Sequence, residues 1–580
     1  MKRFCQSLYQ NEGRRWALAA LLAAAVLIFA AVSSTVCYYD VDDFNIAWAL
    51  AGYRSGTPSF SHPFINCIMA AIVSGLYSLL PRLPWWFLVQ WAALYAGMTA
   101  VFASLLKIGA KKKMPWLLPL ALCGVLAGGV YFYGTVLVTF TLSSTMAGMG
   151  GVVMLLALDS ADSQRRQRGY WIGSIALMVV SLLVRQSSGL CVLCFWFGTA
   201  LYRIVAQGMQ NRAAEQKTDR MRSLRRGIAG CVCMAVCTVL LMTANAYGRE
   251  KLNPAGFLEF EEGRADFMDY PHDSYYENPK LYEAVGWDST LYELASAWCY
   301  MDARINADTL TEICEASRIN QRTIGQQLSD TPETFMTFLG KYPIARHLLT
   351  MTGAALLLVL LLWIPQRKRW LPAATGLTLT LGGAALIGYL CFTGRINLRS
   401  FMTVAFPLIV CLFVLAQEQY EKKKFAFAAF VLCTVLALYP AQRIFRTVLS
   451  YESDAEIARA RTVTDYVLEH PENVYIRDVY AAINYDALSV YPNVKPTNLM
   501  DWGGCDTKTA AREAQLAING LTSAYADVFF QPNVYYLCEA DGPYLPLLTE
   551  YMETTMGASG YEVADEIVDG LLAVRFLPAQ

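Results

Sequence analysis

Apolar runs, too long and too many for the core of a water-soluble domain, constrain this chain more than any other feature. The hydrocarbon layer of a bilayer asks for about 20 apolar residues per crossing helix. Such stretches recur at 16–36, 63–80, 85–106, 115–133, 135–158, 170–186, 187–204, 228–247, 346–364, 370–392, 400–417 and 424–440. The composition agrees: 55% of the 580 residues are hydrophobic and 16% charged, whereas soluble domains carry about 25% charged residues. The expected fold is therefore an α-helical polytopic membrane protein with about 11 spans. The first stretch is too long for a signal-peptide core and lacks a clear cleavage site, so it reads as a retained anchor.

Lysine and arginine in the short connections set the orientation, because cytoplasmic loops are enriched in both. Lys2, Arg3, Arg14 and Arg15 place the N-terminus inside, as do the clusters 111–113, 165–168, 203–226, 366–369 and 422–424 for their own loops. Alternation then puts 37–62, 248–345, 393–400 and the C-terminus outside. If 63–80 and 85–106 both crossed, Lys111–Lys113 would fall outside, so 63–80 is read as re-entrant or interfacial.

This gives four parts. Residues 1–247 form an N-terminal membrane module containing the external loop 37–62. Residues 248–345 are a polar external insertion, with helical stretches such as "STLYELASAWCYMDARI", and 346–440 return to the membrane. Residues 453–580 read as a small extracytoplasmic α/β domain: a helix near 453–469, the strand-like "NVYIRD" and "DVFFQPNVYYLCE", a helix near 543–557 and a closing "GLLAVRFLP", interrupted by the turn-rich "DWGGCD" (501–506).

The external loop holds the densest chemistry. In "YYDVDDFNIAWALAGY" (38–53) three carboxylates, Asp40, Asp42 and Asp43, stand where the chain leaves lipid. Phe44, Ala47, Trp48 and Ala51 follow at one-face helical spacing, with Asp42 or Asp43 as N-cap and Gly52 as the stop. Such a helix is expected to lie on the outer surface, apolar face down, with Tyr38, Tyr39, Trp48 and Tyr53 at headgroup depth. A cap needs one carboxylate. Three together repel and raise at least one pKa, unless a divalent cation sits among Asp40, Asp42 and Asp43.

A first span, an external "DD" leading an interfacial helix, a Gly-x-Pro loop and a Pro-led apolar helix, read here as "DVDDFNIAWALAGYRSGTPSFSHPFINCIMAAIVSGLYSLLP" (40–81), together resemble the opening of GT-C membrane glycosyltransferases. The nearest in style are the protein mannosyltransferase and lipid A aminoarabinose transferase types. "RINLRSFMTVAFP" (395–407) is similar to the Arg-Tyr-x-x-Pro element of a late span in that family, although Ser400 and Phe401 stand where Tyr would directly follow Arg. The insertion and the tail have no counterpart in that pattern.

The resemblance implies transfer of a sugar from a polyprenyl-phosphate carrier to a cell-envelope glycan or glycolipid on the outer face. A first-loop acid then acts as general base, because an acceptor hydroxyl is a poor nucleophile. Asp42 is the preferred base and Asp43 the helix cap. The departing lipid phosphate needs cationic donors, for which arginine offers a planar fork. Arg395 and Arg399, four apart on one helix face, either take this role or snorkel to headgroups. Arg185 lies between two apolar runs, as a hairpin tip or a charge at membrane depth that would join the donor site. His62 before Pro63 either contacts phosphate or marks a turn. "EEGRADFMDYPHDSYYENPK" (261–280) is a carbohydrate surface or a solvated loop; Arg264, Asp266 and Asp269 are its acceptor candidates.

Other classes are weaker. A polymerase or ligase of lipid-linked glycans would share the topology. A transporter or flippase of envelope precursors predicts related halves and paired broken helices, and no repeat is visible. A receptor or scaffold leaves the aspartates without a role. Cys191 and Cys194 have CxxC spacing but no second pair or His, which argues against zinc and redox chemistry. No P-loop, HExxH or GxSxG is present. With no net charge and no basic, aromatic-interleaved patch, nucleic acid is not an expected partner.

Overall fold

The computed structural model describes residues 11–159, 162–213, 217–319, 322–366, 370–479, 481–490, 494–505, 507–521 and 523–579; Lys2, Arg3 and the basic residues 367–369 lie outside them. Every apolar stretch is helical. Among the described residues ten helices are long and apolar enough to cross a membrane: Glu12–Ser33, Trp85–Lys111, Leu117–Val136, Gln164–Val184, Gln186–Met209, Met221–Leu252, Pro343–Gln366, Trp370–Phe392, Leu398–Gln419 and one within Lys424–Glu469.

Two further apolar helices are shorter. Cys67–Leu79 has 13 residues, a rise of about 20 Å, too little for a hydrocarbon layer of about 30 Å. The interfacial or re-entrant reading of 63–80 fits this length. Phe140–Leu156, expected as a span over 135–158, has 17 residues and is buried on every side. It starts late because the chain first leaves the preceding helix as a short strand. Gly97 lets this helix approach Trp85–Lys111 at backbone distance: a Cβ there would lie 2.1 Å from the Met146 carbonyl oxygen. Small residues at such crossings replace the hydrophobic drive that lipid removes.

The two ends of the bundle differ. At one end strand β1 (Cys37–Tyr38) pairs in parallel with β2 (Leu137–Val138), and the tail reaches the same place through a bridge from Cys37 to Asp486. At the other, Glu418 meets Arg203 and Lys112, Lys107 meets Asp162, and Lys111 meets Asp159.

The tail is α/β, as its pattern indicates. Strands β3 (Val474–Arg477), β4 (Leu499–Asp501), β5 (Val534–Glu539), β6 (Ala558–Val568) and β7 (Leu571–Pro578) form one sheet in the order β4-β3-β5-β7-β6. The first three are mutually parallel and β7 and β6 antiparallel. β3, short and wholly buried, sits inside the parallel part. β6 is an edge made soluble by Glu562, Asp565 and Glu566. The insertion packs onto the tail: Phe260, Trp287, Leu291 and Tyr300 share one apolar core with Ile476, Trp502, Phe529 and Phe576.

Two local expectations change. The first-loop helix, Val41–Ala51, does end at Gly52 in the left-handed conformation, but its N-cap is Asp40. It is no surface helix with one wet face. Phe44, Ile46, Trp48 and Leu50 are all buried, in a core that includes Ala481, Ile483 and Leu499 of the tail. Tyr38, Trp48 and Tyr53 are buried there too rather than standing at headgroup depth. The helix expected through "STLYELASAWCYMDARI" stops at Ser296, because Trp298 turns the chain at φ +62°.

Candidate active site

Between the bundle end and the insertion–tail body lies a cavity of about 490 Å³. The first-loop helix brings Asp40, Asp42 and Asn45 to it, and the N-terminal turn of Phe140–Leu156 brings Thr141. The break between two spans supplies Arg185. Arg395 and Arg399 come from the start of the late span, Arg264, Asp269, Tyr270 and Trp298 from the insertion, and Val479, Gly504 and Cys505 from the tail.

Arg399 bridges two of the aspartates, 2.8 Å from Asp40 and 3.2 Å from Asp42. Burial, and then the neighbouring Asp40, raise the Asp42 pKa, against the opposing pull of Arg399. Asp42 is thus a half-buried carboxylate facing a cavity, with its proton affinity raised.

Asp43 points the other way. It accepts from Trp86 Nε1 at 3.1 Å, Gln90 Nε2 at 3.0 Å and the Phe140 backbone N–H at 3.1 Å. It caps a helix, though not its own: its carboxylate receives the first N–H of Phe140–Leu156. Burial, then Asp42, pushes its pKa up to about 7, against the Phe140 N–H. The three aspartates therefore diverge, and a guanidinium stands between Asp40 and Asp42. Among the described residues no group of three or more His, Cys, Asp or Glu side chains is arranged to hold a metal ion.

Arg185 lies at a one-residue extended break between Gln164–Val184 and Gln186–Ala213. Its guanidinium sits 4.4 Å from the centre of the Phe140 ring, donates to Thr141 Oγ1, and reaches Ser187 Oγ at 3.2 Å. Burial, then Arg399, lowers its pKa to about 10, which leaves it charged near neutrality. The other cavity arginines are tied to carboxylates: Arg399 as above, Arg395 to Asp269 at 2.5 Å, and Arg264 to Glu261 at 2.7 Å. Among the described residues Arg185 makes no such pair.

Asp42, Arg185, Arg395, Arg399, Arg264 and Asp269 thus meet in one place. Three candidates do not reach it: Asp43, as above, His62 and Asp266. His62 is buried behind Phe64, accepts from the Phe64 N–H at 3.3 Å, and leaves the cavity wall to that ring. Asp266 instead lines a separate acidic cleft with Glu259, Glu262, Asp308, Glu312 and Glu315, about one turn before Asp269 on the helix Phe257–Asp269.

Sequence reasoning missed the clasp behind the site. Asp501, fully buried, is held by Arg477 at 2.7 Å and Arg54 at 2.5 Å, and its backbone oxygen accepts from Arg512 at 2.9 Å. Arg54 also donates to Asn45, a cavity residue. Against burial, which raises it, the three arginines hold the Asp501 carboxyl well below the usual carboxylate range. The only local signal was "GG" at 503–504, which marks a close backbone approach.

No family model matches the chain, and no curated protein matches it. Among solved structures it is similar to the crystal structure of ArnT from Cupriavidus metallidurans bound to undecaprenyl phosphate, at 12% identity and TM-score 0.38, over 96% of this chain and 97% of that one. The apo structure of the same protein gives 12% identity and TM-score 0.36 over the same shares.

Proposed function

We propose that this chain is an integral-membrane glycosyltransferase that moves a sugar from a polyprenyl-phosphate carrier to a cell-envelope glycan or glycolipid. Asp42 is the general base. One observation carries the reading: a half-buried carboxylate of raised proton affinity and an arginine that, among the described residues, makes no ion pair line the same cavity, at the ends of spanning helices. A greasy donor and a watery acceptor can meet only at such a level. The basic connections Lys111–Lys113 and Arg165–Arg168 belong to the opposite end, which supports an outer-face position for the cavity.

In the reaction Asp42 takes the acceptor hydroxyl proton as the oxygen attacks the anomeric carbon. The bond from that carbon to the phosphate oxygen breaks, and charge gathers on the departing lipid phosphate. Arg185 meets that charge. Stabilising it in a water-poor site is the larger electrostatic contribution, and proton removal adds about 100- to 10,000-fold. Arg399, held by Asp40 as well as Asp42, favours the ionised form of the base.

The test is turnover of labelled decaprenyl-phosphate sugars by the purified protein in lipid. Asp42→Asn is expected to abolish transfer while still retaining decaprenyl phosphate. Full turnover by Asp42→Asn would remove the base assignment, and failure of every donor with the wild type would remove the reaction class.

A further inference from the structure

The wall of the cavity that the insertion supplies has a different character from the Arg185 side. Trp298 lines it, half-buried, at a φ of +62° that bulky residues rarely adopt. Such a conformation persists only where the surroundings fix it, and it concentrates at functional sites. Here the fixing comes from the tail. The Trp298 carbonyl accepts from the Gly504 N–H at 3.1 Å, and Gly503 packs so close that a Cβ would lie 1.7 Å from that oxygen. Only glycine fits there, and two distant segments of chain together set the direction of one indole.

The charge on this wall is already neutralised. Arg264, whose guanidinium lies over the indole ring 5.1 Å from its centre, is gripped by both oxygens of Glu261. Arg395 is spent on Asp269 and on the Tyr270 hydroxyl at 3.0 Å. What remains is an aromatic surface edged with hydrogen-bonding groups and without a free charge. A phosphate gains nothing there. An uncharged pyranose does, because its C–H face is apolar and stacks on an indole while its hydroxyls pair with carboxylate and phenol at the edge.

We propose that Trp298 is the stacking platform of a subsite for an uncharged sugar ring. Calling that ring part of the acceptor rests on the glycosyl-transfer reading above. The acceptor is then a glycan recognised through a neutral pyranose, and the phosphate chemistry is confined to the Arg185 side.

The experiment is saturation-transfer NMR on the full-length chain in lipid nanodiscs. The probes are cellotetraose, mannotetraose and chitotetraose, with glucosamine 6-phosphate and inorganic phosphate as charged controls. At least one neutral tetrasaccharide is expected to receive saturation at its ring protons. Trp298→Ala should weaken that binding about tenfold and Trp298→Phe less, as expected for loss of an aromatic face, with decaprenyl phosphate retained by both. Failure of all three tetrasaccharides, binding of the phosphorylated sugar alone, or indifference to Trp298→Ala overturns the subsite. If Trp298→Ala loses decaprenyl phosphate as well, Trp298→Phe decides, and wild-type glycan binding by that variant sinks the idea. Asp42→Asn should keep the tetrasaccharide. Were every donor to fail with the wild type while Trp298→Ala loses the glycan, the transfer reading would fall and the subsite would stand.

Discussion

Both ends of the helical bundle bury charge, and they do opposite things with it. At one end Glu418 is enclosed by Arg203 and Lys112, and Lys107 and Lys111 each find an aspartate. Every one of those cations has a carboxylate, and the Arg203 guanidinium also donates to the Leu155 and Leu156 carbonyls, stitching helices together. At the other end Asp40 and Asp42 share Arg399, Asp42 faces open space, and Arg185 is left with hydroxyls and a ring. Burying an ion is costly unless it is paired. Closed pairing is therefore what a joint needs, and a cation outside direct pairing beside a carboxylate of raised pKa is what a site needs.

The largest effect separating the two ends is expected at Asp42. Asp42→Asn removes the proton acceptor but keeps the shape and should cut kcat by about 100- to 10,000-fold, while Glu418→Gln at the closed end should leave kcat near wild type and lower the melting temperature. Initial rates with a decaprenyl-phosphate sugar, set beside thermal unfolding in detergent, distinguish them. Equal kinetic losses would mean that the ends do not differ in kind.

Next comes Arg185 against Arg203. Arg185→Ala should cost about 100- to 1,000-fold in kcat, the scale of losing one donor to transition-state charge, with little change in stability, since no ion pair is broken. Arg203→Ala leaves Glu418 buried beside Lys112 alone and should destabilise by roughly 3 to 5 kcal/mol. If Arg185→Ala instead lowers stability and spares kcat, Arg185 is structural.

The clasp at Asp501 tests whether the tail governs the site or only covers it. Asp501→Ala abandons Arg54 and Arg477 in the interior, again a loss of roughly 3 to 5 kcal/mol, and frees Asn45 at the cavity edge. Its depressed pKa has a definite sign: the stability it supplies is present above the ordinary carboxylate pKa and is lost as pH falls through the lower folded value. The wild-type contact should thus survive mild acid. Proteolytic release of the tail from Asp501→Ala at neutral pH, but not from wild type, is the measurement.

Much of this was readable from the sequence because lipid imposes a simple rule. Apolar runs of the required length had to be helices, and each one is. Asp42, Arg395 and Arg399 stood out because charge next to such runs has few places to go. The α/β tail declared itself through "NVYIRD" and "GLLAVRFLP", but β6 did not, since Glu562, Asp565 and Glu566 give it the look of a loop. Arg54 and Asp501 were invisible for another reason. They meet each other across 447 residues of chain, and neither sits in a run that makes a charge conspicuous. Asp43 read as the cap of its own helix because capping is local in sequence, whereas here the N–H it accepts belongs to Phe140.

That misreading leads to the smallest and sharpest test. Asp43 is a buried acid whose pKa is raised from 3.8 to about 7 by burial and by Asp42. Between those values the folded protein holds a proton there that the unfolded chain has released, so stability falls as pH rises from about 4 to about 7 and then levels off. Asp43→Asn, a permanent mimic of the protonated side chain, should match wild type near pH 4 and exceed it in melting temperature at pH 8. Asp501→Asn should show the opposite dependence, weaker than wild type at pH 8 and converging with it only in strong acid. Parallel melting curves for Asp43→Asn and wild type across that range would mean that Asp43 is ionised throughout, held by the Trp86, Gln90 and Phe140 donors. The site would then carry three negative charges against Arg185 and Arg399 rather than two, and the even balance of charge at this end of the bundle would be lost.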